Sequence, residues 1–564
     1  MMTAEEIRAR ILETVAKNGG HLASSLGAVE IAMALAKVFR PESDRIVWDV
    51  GHQAYAWKLL TGRADVFSTL RKLDGISGFP DPYESKADAA FAGHAGAALS
   101  TAVGFAAARD RRGTGEHVVA VVGDSALVNG MSFEALNNCA ASTKKLIVVL
   151  NDNDMSISKP SGSFSKFLGR LITGVRYNRV KSAAEKAGHA MRLTFLRGVY
   201  HRVESRIKSL FLGNAFFEQF GLRYIGPVDG HDLRALEAAF TVARDDKRSV
   251  IVHVVTKKGR GFEPAEKDPT KWHGVGPFAY GGGEAAKTDG AEPRKGLSWS
   301  EIFGETIREA AARDARVCAL TAGMKDGTGL APFAEAFPDR FFDVGIAEEH
   351  MVAMAGGLAA GGMRPVVAVY STFLQRAVDQ VMHDVCLAKL PVVICVDRAG
   401  VVGADGRTHH GVFDVAMLRC LPNLTICEPE DADDFRALFR EALDRDGPTV
   451  IRYPRGGSSW FAKARQVAAA FPGSVARHAR YLKPFDSREI ASARAEGRRI
   501  VTIENGSLAG GFGEAIGADI RFGWPDEFVP HGAQAELERR YGLDAESIIA
   551  RLSLQTSKSF VIYG

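Results

Sequence analysis

The chain alternates short apolar runs with longer segments of helical periodicity, and this alternation limits it to folds built on parallel sheets. Seven runs rich in Val, Ile and Leu predict buried strands: Val118–Val122, Leu146–Leu150, Val250–Val255, Val317–Thr321, Val366–Tyr370, Val392–Val396 and Ile500–Ile503. Helical patterns separate them, as over Leu26–Phe39, Met131–Ala141 and Phe435–Asp444. We therefore predict an α/β fold of three doubly wound domains with mainly parallel sheets.

The length of the chain requires more than one hydrophobic core. It has 564 residues, and single cores stop growing at about 250–300 residues. Tyr280–Gly296 is poor in large apolar residues, and Gly456–Ser474 has little periodicity. We predict domains over 1–285, 295–457 and 475–555, with a basic helical insertion at about 164–220 in the first.

Composition excludes several classes of partner. Lys and Arg total 71 against 67 Asp and Glu, so no global charge favours nucleic acid or a membrane surface. The six cysteines form no CxxC pair, which is typical of reduced thiols in a cytoplasmic protein. Neither a signal peptide nor an apolar run long enough to span a membrane is recognisable.

Polar residues follow two of the predicted strands. Gly123-Asp124-Ser125 comes directly after one strand, and Asn151-Asp152-Asn153-Asp154-Met155 follows the next. Ligands bind at the carboxyl ends of strands in such sheets, and oxygen donors of this kind suit Mg²⁺ that also holds a phosphate. An Asp at a strand end is often only a turn or cap residue, so each half of the pattern is weak alone.

Together the two halves resemble the thiamine-diphosphate signature, which reads Gly-Asp-Gly with a later Asn. Further segments make the resemblance specific: Gly20–Gly27, Trp48–Tyr55, Asn151–Ser158, Tyr224–Asp232 (YIGPVDGHD), Thr256–Pro269 (TKKGRGFEPAEKDP), Phe342–His350, Tyr370–Gln380, Asp397–Gly411, Arg452–Gly456 and Glu504–Gly513. In this order and spacing they resemble the 1-deoxy-D-xylulose 5-phosphate synthase family of transketolase-like enzymes. That family has three domains, holds its cofactor between the first and second, and is typically a homodimer.

The resemblance implies thiamine diphosphate and Mg²⁺ as cofactors. It assigns cofactor binding to His52, His94, Gly123, Asp124, Ser125, Asn153, Met155, Lys258, Glu348 and Phe373. Asp124, Asn153 and Met155 are the implied metal ligands. Glu348 matches the carboxylate that the family uses to activate the cofactor's aminopyrimidine ring, and Glu349 is expected to be a structural neighbour.

The implied reaction joins pyruvate to D-glyceraldehyde 3-phosphate, with loss of CO₂, to give 1-deoxy-D-xylulose 5-phosphate for isoprenoid and thiamine synthesis. The implied catalytic residues are His21, His52, His273, Glu348, Asp405 and His409. The implied substrate-binding residues are His21, Tyr370, Arg376, Arg398, Asp405, His409 and Arg455, the arginines because a phosphate monoester favours guanidinium groups.

Three departures from the family pattern leave alternatives open. Ser125 stands where the family has Gly, Ala95–Ala98 lack the family's hydroxyls, and the chain between Gly456 and Arg480 is short enough to lack one strand–helix unit. The chain is then a synthase with a variant diphosphate loop, a sister enzyme that joins the pyruvate-derived unit to another phosphorylated aldehyde, or a non-catalytic homologue. A transketolase or a 2-oxo acid dehydrogenase subunit is a more distant alternative.

Overall fold

The computed structural model describes residues 2–153, 214–280, 296–456, 459–555 and 559–564. The chain divides into two compact units. The first comprises Met1–Leu70 and Ile76–Thr288, and the second comprises Arg71–Gly75 and Asp289–Gly564. Most of the insertion predicted at about 164–220 lies outside the described residues, and its end forms the helix Asn214–Gln219.

Three sheets organise the described residues. Their strands are β1 Arg45–Trp48, β2 Val118–Gly123, β3 Ile147–Asp152, β4 Arg223–Asp229, β5 Val250–Val255, β6 Val317–Thr321, β7 Phe341–Asp343, β8 Arg364–Tyr370, β9 Val393–Ala399, β10 Thr425–Cys427, β11 Thr449–Pro454, β12 Val475–Arg477, β13 Tyr481–Lys483, β14 Arg499–Ser507, β15 Ile520–Trp524 and β16 Phe560–Tyr563. All seven predicted strands are confirmed, with ends shifted by a few residues.

The first unit contains one five-stranded parallel sheet in the order β1-β2-β3-β5-β4. Its register pairs Gly123 with Asn151, so that the residues following β2 and β3 emerge at the same edge. The helices of this unit are Ala4–Asn18, Leu22–Gly27, Val29–Val38, Tyr55–Lys58, Ala97–Arg112, Asp124–Leu127, Gly130–Ser142, Asn214–Gln219, Leu233–Asp245 and Glu263–Lys267, with shorter turns at Leu59–Arg63 and Phe67–Thr69.

The second unit contains two sheets. The larger has the order β13-β10-β11-β9-β8-β6-β7 and is parallel except for β13, which pairs antiparallel with β10. The smaller is parallel throughout, in the order β12-β16-β14-β15. The prediction of an α/β fold with mainly parallel sheets is therefore confirmed, whereas the domain limits of the sequence analysis stay a prediction.

Helices flank both sheets of the second unit. They are Trp299–Arg313, Ala331–Ala336, Glu348–Ala360, Ser371–Leu374, Val378–Gln380, Asp414–Leu418, Ala432–Asp444, Trp460–Ala469, Ser487–Ala495, Phe512–Ala515, Gln534–Arg540 and Ala545–Ser553, with short turns at Pro338–Arg340, Gln375–Ala377, Val381–Cys386 and Gly406–Thr408. The sequence analysis expected little periodicity over Gly456–Ser474, and this was wrong for the part that forms the helix Trp460–Ala469. One face of that helix is buried through Trp460, Phe461, Ala464 and Val467.

None of the helices in the described ranges combines the length and hydropathy needed to cross a membrane.

The segment Phe560–Tyr563, which is not among the predicted strands, is an inner strand. β16 pairs with β12 on one side and with β14 on the other. Phe560 and Ile562 have no solvent exposure. The smaller sheet therefore depends on this strand for the attachment of β12.

We expect Ile562→Ala to destabilise the second unit strongly, by about 2–5 kcal/mol, because it leaves a cavity beneath an inner strand. Urea unfolding followed by circular dichroism measures the effect. Leu554→Ala is the matched control, since Leu554 is 84% exposed and its truncation should change stability by less than about 0.5 kcal/mol. Equal effects of the two substitutions would contradict the placement of β16.

Candidate functional site

Three histidines predicted to be catalytic lie together in the first unit. The backbones of Gly20 and Val275 exchange two hydrogen bonds of 2.8 and 2.9 Å, which brings the segments carrying His21 and His273 side by side. The ring centroids of His21, His52 and His273 are 5.1 to 5.8 Å apart in all three pairs. Burial, reinforced by the charges of Lys258 and His21, lowers the pKa of His273 well below its ordinary value. His273 is therefore neutral at pH 7.

The predicted metal ligands Asp124 and Asn153 are adjacent at the carboxyl edge of the first sheet. The Asp124 carboxylate accepts the backbone N–H groups of Ser125, at 2.6 Å, and of Asn153, at 3.1 Å. Among the described residues, the buried Oδ1 atom of Asn153 has no hydrogen-bond partner. Burial, together with the nearby Asp152 carboxylate, raises the pKa of Asp124 to about 6. This pair of oxygen donors suits a hard cation, and the third predicted ligand, Met155, lies outside the described residues.

Ser125, the departure from the family's Gly, adds a contact to the predicted metal ligand. Its hydroxyl donates to Asp124 Oδ1 at 3.1 Å. The altered loop Ala95–Ala98 is anchored by Asp49, whose carboxylate accepts the backbone N–H groups of Gly96 and Ala98 at 2.8 to 3.0 Å. His94 precedes this loop and is half-buried, while Gly123 ends β2.

Lys258 lies in the loop that follows β5 and is buried. Burial lowers its pKa to about 8, although the carboxylate of Asp124 partly opposes that shift. The loop is held against the start of the chain because the backbone N–H of Gly259 donates to the carbonyl of Ala23 at 2.8 Å. A buried cationic group thus stands close enough to Asp124 to interact with its charge.

The first unit also contains a buried hydrogen-bonded chain that the sequence analysis did not find. Tyr224 Oη lies 2.7 Å from His253 Nδ1, and His253 Nε2 lies 2.9 Å from Asp152 Oδ2. His253 is fully buried and Asp152 is 2% exposed. The carboxylate fixes the His253 proton on Nε2, so Tyr224 donates to Nδ1. These three hydrogen-bonded side chains support the end of β3, directly before Asn153.

In the second unit, Glu348 begins the helix Glu348–Ala360 that follows β7. The buried side chains of Met351, Val352 and Ala355 lie on the same face of this helix, so the first-turn carboxylate is buried as well. Glu348 is 3% exposed, and its Oε2 atom is buried with no hydrogen-bond partner among the described residues. Burial raises its pKa to about 7, and the charge of Arg376 only partly counters that shift.

Aromatic and cationic side chains cluster after β8 and β9. The Arg398 guanidinium lies 3.8 Å from the centre of the Tyr370 ring. Phe373 lies between Tyr370 and His409, with ring centroids 5.9 and 5.7 Å away. Arg398 adopts a left-handed backbone conformation, with φ of 59°, which is strained for a residue with a side chain and is found mostly at functional sites.

The three predicted phosphate-binding arginines do not share one environment. Arg455 is exposed, donates to the carbonyl of Val402 at 3.2 Å, and interacts electrostatically with Arg398. Arg376 instead acts on Glu348, and its buried Nη1 atom has no hydrogen-bond partner among the described residues. Arg398 and Arg455 are therefore close enough to repel each other, whereas Arg376 acts electrostatically on the buried carboxylate of Glu348.

Arg71 is a further functional residue that the sequence analysis missed. It forms a nearly buried ion pair with Asp405, the predicted catalytic aspartate. The two residues are 334 positions apart, and no local pattern links them. Arg71 therefore fixes the orientation of the Asp405 carboxylate.

Comparisons with known proteins show the family of the chain. A family profile described as 1-deoxy-D-xylulose-5-phosphate synthase matches residues 1–256. The transketolase pyrimidine-binding domain matches residues 295–458, and the transketolase C-terminal domain matches residues 477–548. The 1-deoxy-D-xylulose-5-phosphate synthase 1 of Geobacter metallireducens is 46% identical, over 97% of this chain and 95% of the relative.

The chain belongs to the 1-deoxy-D-xylulose-5-phosphate synthase family.

A second family member, 1-deoxy-D-xylulose-5-phosphate synthase 2 of Geobacter sulfurreducens, is 44% identical over 97% of this chain and 95% of the relative. Among solved structures, transketolase from Campylobacter jejuni is similar with a TM-score of 0.38 and 16% identity, over 98% of this chain and 99% of the other.

The alignment with the first relative spans 605 positions, whereas the chain has 564 residues. It therefore contains gaps where that family member has residues that this chain lacks. The missing strand–helix unit of the third domain stays a prediction.

We expect Glu348→Gln to stabilise the cofactor-free protein at pH 8 and to have little effect near pH 4.5. A folded-state pKa of about 7 lies above the unfolded value of about 4.3. The protonated form is therefore favoured by folding, and this stability is lost as the pH rises through 7. The amide avoids the loss, which reaches up to about 4 kcal/mol.

Thermal unfolding of both proteins between pH 4.5 and 8 tests this expectation. Glu349→Gln makes the same chemical change at the next position and serves as the control. A difference between Glu348→Gln and wild type that is the same at every pH would show that Glu348 is ionised throughout.

Proposed function

We propose that the chain catalyses the decarboxylating condensation of pyruvate with D-glyceraldehyde 3-phosphate, giving 1-deoxy-D-xylulose 5-phosphate and CO₂. The family membership supports the reaction. The observation that carries it is the Glu348 carboxyl group, which is buried, has a raised pKa, and keeps one oxygen without a partner among the described residues. A group in this state is suited to exchange a proton with a ring nitrogen near neutral pH.

The residues of both units fit thiamine diphosphate. In the first unit, Asp124, Asn153 and Lys258 supply the oxygen donors and the cation that a diphosphate with Mg²⁺ requires. In the second unit, Glu348 supplies the carboxyl group for the aminopyrimidine ring, and Phe373, which stacks on Tyr370, supplies an aromatic surface. Thiamine diphosphate, when bound, supplies an electron sink for the carbanion generated from pyruvate.

The chain's own residues then have separate tasks. His21, His52 and His273 form a buried cluster whose His273 is neutral, so it can donate or accept a hydrogen bond without adding charge. We assign this cluster to the carboxylate and the developing alkoxide of pyruvate. Asp405, fixed by Arg71, and His409 are assigned to the aldehyde acceptor.

The guanidinium groups of Arg398 and Arg455 are assigned to the phosphate of the acceptor. Arg398 is preorganised by stacking on Tyr370, so little side-chain entropy is lost on binding. The environment of Arg376 favours a different task from the one the sequence implied. Its charge partly opposes the rise in the pKa of Glu348 that burial causes, so we propose that it tunes this carboxyl group.

Three further properties belong to the proposal. We propose Mg²⁺ as the metal because the donors at Asp124 and Asn153 are oxygens. We propose a homodimer, as in the family, which sedimentation analysis would test. We propose a cytoplasmic location, supported by six cysteines that all carry free thiols.

The experiment that tests the function is CO₂ release from pyruvate by the purified protein with thiamine diphosphate and Mg²⁺. We expect D-glyceraldehyde 3-phosphate to stimulate the release, and a deoxyxylulose phosphate to form. Release that this aldehyde does not stimulate would favour the sister enzyme with another acceptor. Absence of both release and cofactor binding would favour the non-catalytic homologue.

We expect Arg398→Ala to raise the KM for D-glyceraldehyde 3-phosphate by about 10- to 100-fold, because charge-assisted hydrogen bonds contribute about 1.5–3 kcal/mol. The KM for pyruvate should change less than about threefold. Steady-state kinetics with each substrate varied in turn separates the two constants. Arg436→Ala, on an outer helix face, is the control. An equal rise in both KM values for Arg398→Ala would show that Arg398 does not bind the phosphate.

A further inference from the structure

His231 belongs to the YIGPVDGHD segment, which the proposed reaction does not use. It follows the edge strand β4, and its side chain is 14% exposed. The Nε2 atom lies 2.8 Å from the backbone nitrogen of Lys257, and Nδ1 lies 3.2 Å from Glu30 Oε2. His231 thus connects the core of the first unit to the loop that carries Lys258.

The two contacts determine where the proton of the ring resides. A backbone N–H can only donate, so Nε2 must accept the hydrogen bond from Lys257 and carries no proton. The proton of the neutral ring is then on Nδ1, from which it is donated to Glu30. A histidine with a different tautomer cannot make both bonds.

A second residue fixes the other end of the same loop. Arg8 donates from Nη2 to both oxygens of Glu30 at 2.8 Å, and from Nε to the carbonyl of Arg260 at 3.0 Å. Arg8 is 9% exposed and Glu30 is 7% exposed. The buried Arg8–Glu30 ion pair therefore supports two hydrogen bonds to the loop. Glu30 supports the bond from Lys257 through His231, and Arg8 itself donates to the carbonyl of Arg260.

Lys258 lies between these two fixed points. Its neighbour Gly259 is held in addition by the hydrogen bond to Ala23. Gly259 has a left-handed φ of 76°, and a Cβ atom there would lie 2.4 Å from the backbone of Ala265. The loop backbone is thus defined on both sides of Lys258, which also sets the direction in which its side chain leaves the backbone.

We propose that His231, Glu30 and Arg8 form a clamp that positions Lys258 for the diphosphate of the cofactor. His231 is a positioning residue that acts through the backbone of Lys257. The inference rests on the proposed function, because the ligand of Lys258 is the diphosphate of thiamine diphosphate.

Two variants separate the hydrogen bond from the packing of the ring. His231→Phe keeps the ring volume but has no acceptor. His231→Gln places an amide oxygen near the position of Nε2, where it can accept the Lys257 N–H. His383→Phe is the matched control, because His383 is 71% exposed and contacts the neighbouring Asp384.

Hydrogen exchange of the full-length protein without cofactor tests the contact independently of activity. We expect the peptide that covers Thr256–Phe262 to exchange about five to ten times faster in His231→Phe, since loss of one net hydrogen bond has about this effect. His231→Gln should stay within about twofold of wild type. Unchanged exchange in His231→Phe, or equal acceleration in both variants, would overturn the role of the acceptor.

Thiamine diphosphate binding in the presence of Mg²⁺, measured by calorimetry, tests the positioning. We expect the Kd to rise about five- to tenfold in His231→Phe and to stay close to wild type in His231→Gln and His383→Phe. Tight binding by wild type and His231→Phe alike would overturn the clamp and leave the proposed function intact. Absence of binding by wild type would overturn both.

Discussion

Helices cover both faces of a parallel sheet and exclude water from it. Polar side chains at the carboxyl ends of its strands therefore need hydrogen-bond partners within the protein. In this chain Asp residues at or after strand ends find those partners in the backbone amides of nearby loops. Asp49 after β1 binds the loop at Gly96 and Ala98, Asp124 after β2 binds Ser125 and Asn153, and Asp343 at the end of β7 binds Gly323 and Gly345. The loops that carry the candidate site are shaped by these carboxylates.

Glu348 differs from those carboxylates because its burial is only partly compensated. Asp343 accepts two amide N–H groups, whereas one oxygen of Glu348 has no partner in the described part of the chain. Folding therefore has to tolerate a carboxyl group that prefers to stay protonated near pH 7. The apolar face of the helix Glu348–Ala360 provides the stability that makes this tolerable. A buried carboxyl group that served stability alone would have hydrogen-bond partners for both of its oxygens.

Local patterns in the sequence were sufficient for the inner strands of the first sheet and for the oxygen donors that follow them. The Val-rich runs of β2, β3 and β5 are buried on both faces, so their pattern is unambiguous. β4 was missed as a strand because it lies at the sheet edge, is only half-buried, and contains Gly226-Pro227. β16 was missed because four apolar residues become a strand only when β12 and β14 supply partners.

In the candidate site, too, some residues could be predicted from local patterns and others could not. Asp124 and Asn153 could be predicted because each follows its own strand, and the register of the sheet brings them together. The resemblance indicated Glu348 and Arg398, but it did not indicate that the charge of Arg376 acts on Glu348. Arg71 and the tautomer of His231 could not be predicted, because both depend on partners distant in sequence whose approach only the tertiary structure defines.

The position of β16 between β12 and β14 also sets an order for folding. β14 and β15 are close in sequence and can pair early, whereas β12 has no neighbour in its sheet until a segment more than 80 residues further on has arrived. Closing so long a loop precedes any gain from the pairing, and such non-local contacts form slowly. We therefore expect β12 to be the last part of this sheet to become ordered, and its exposed edge to be the surface through which incompletely folded chains associate.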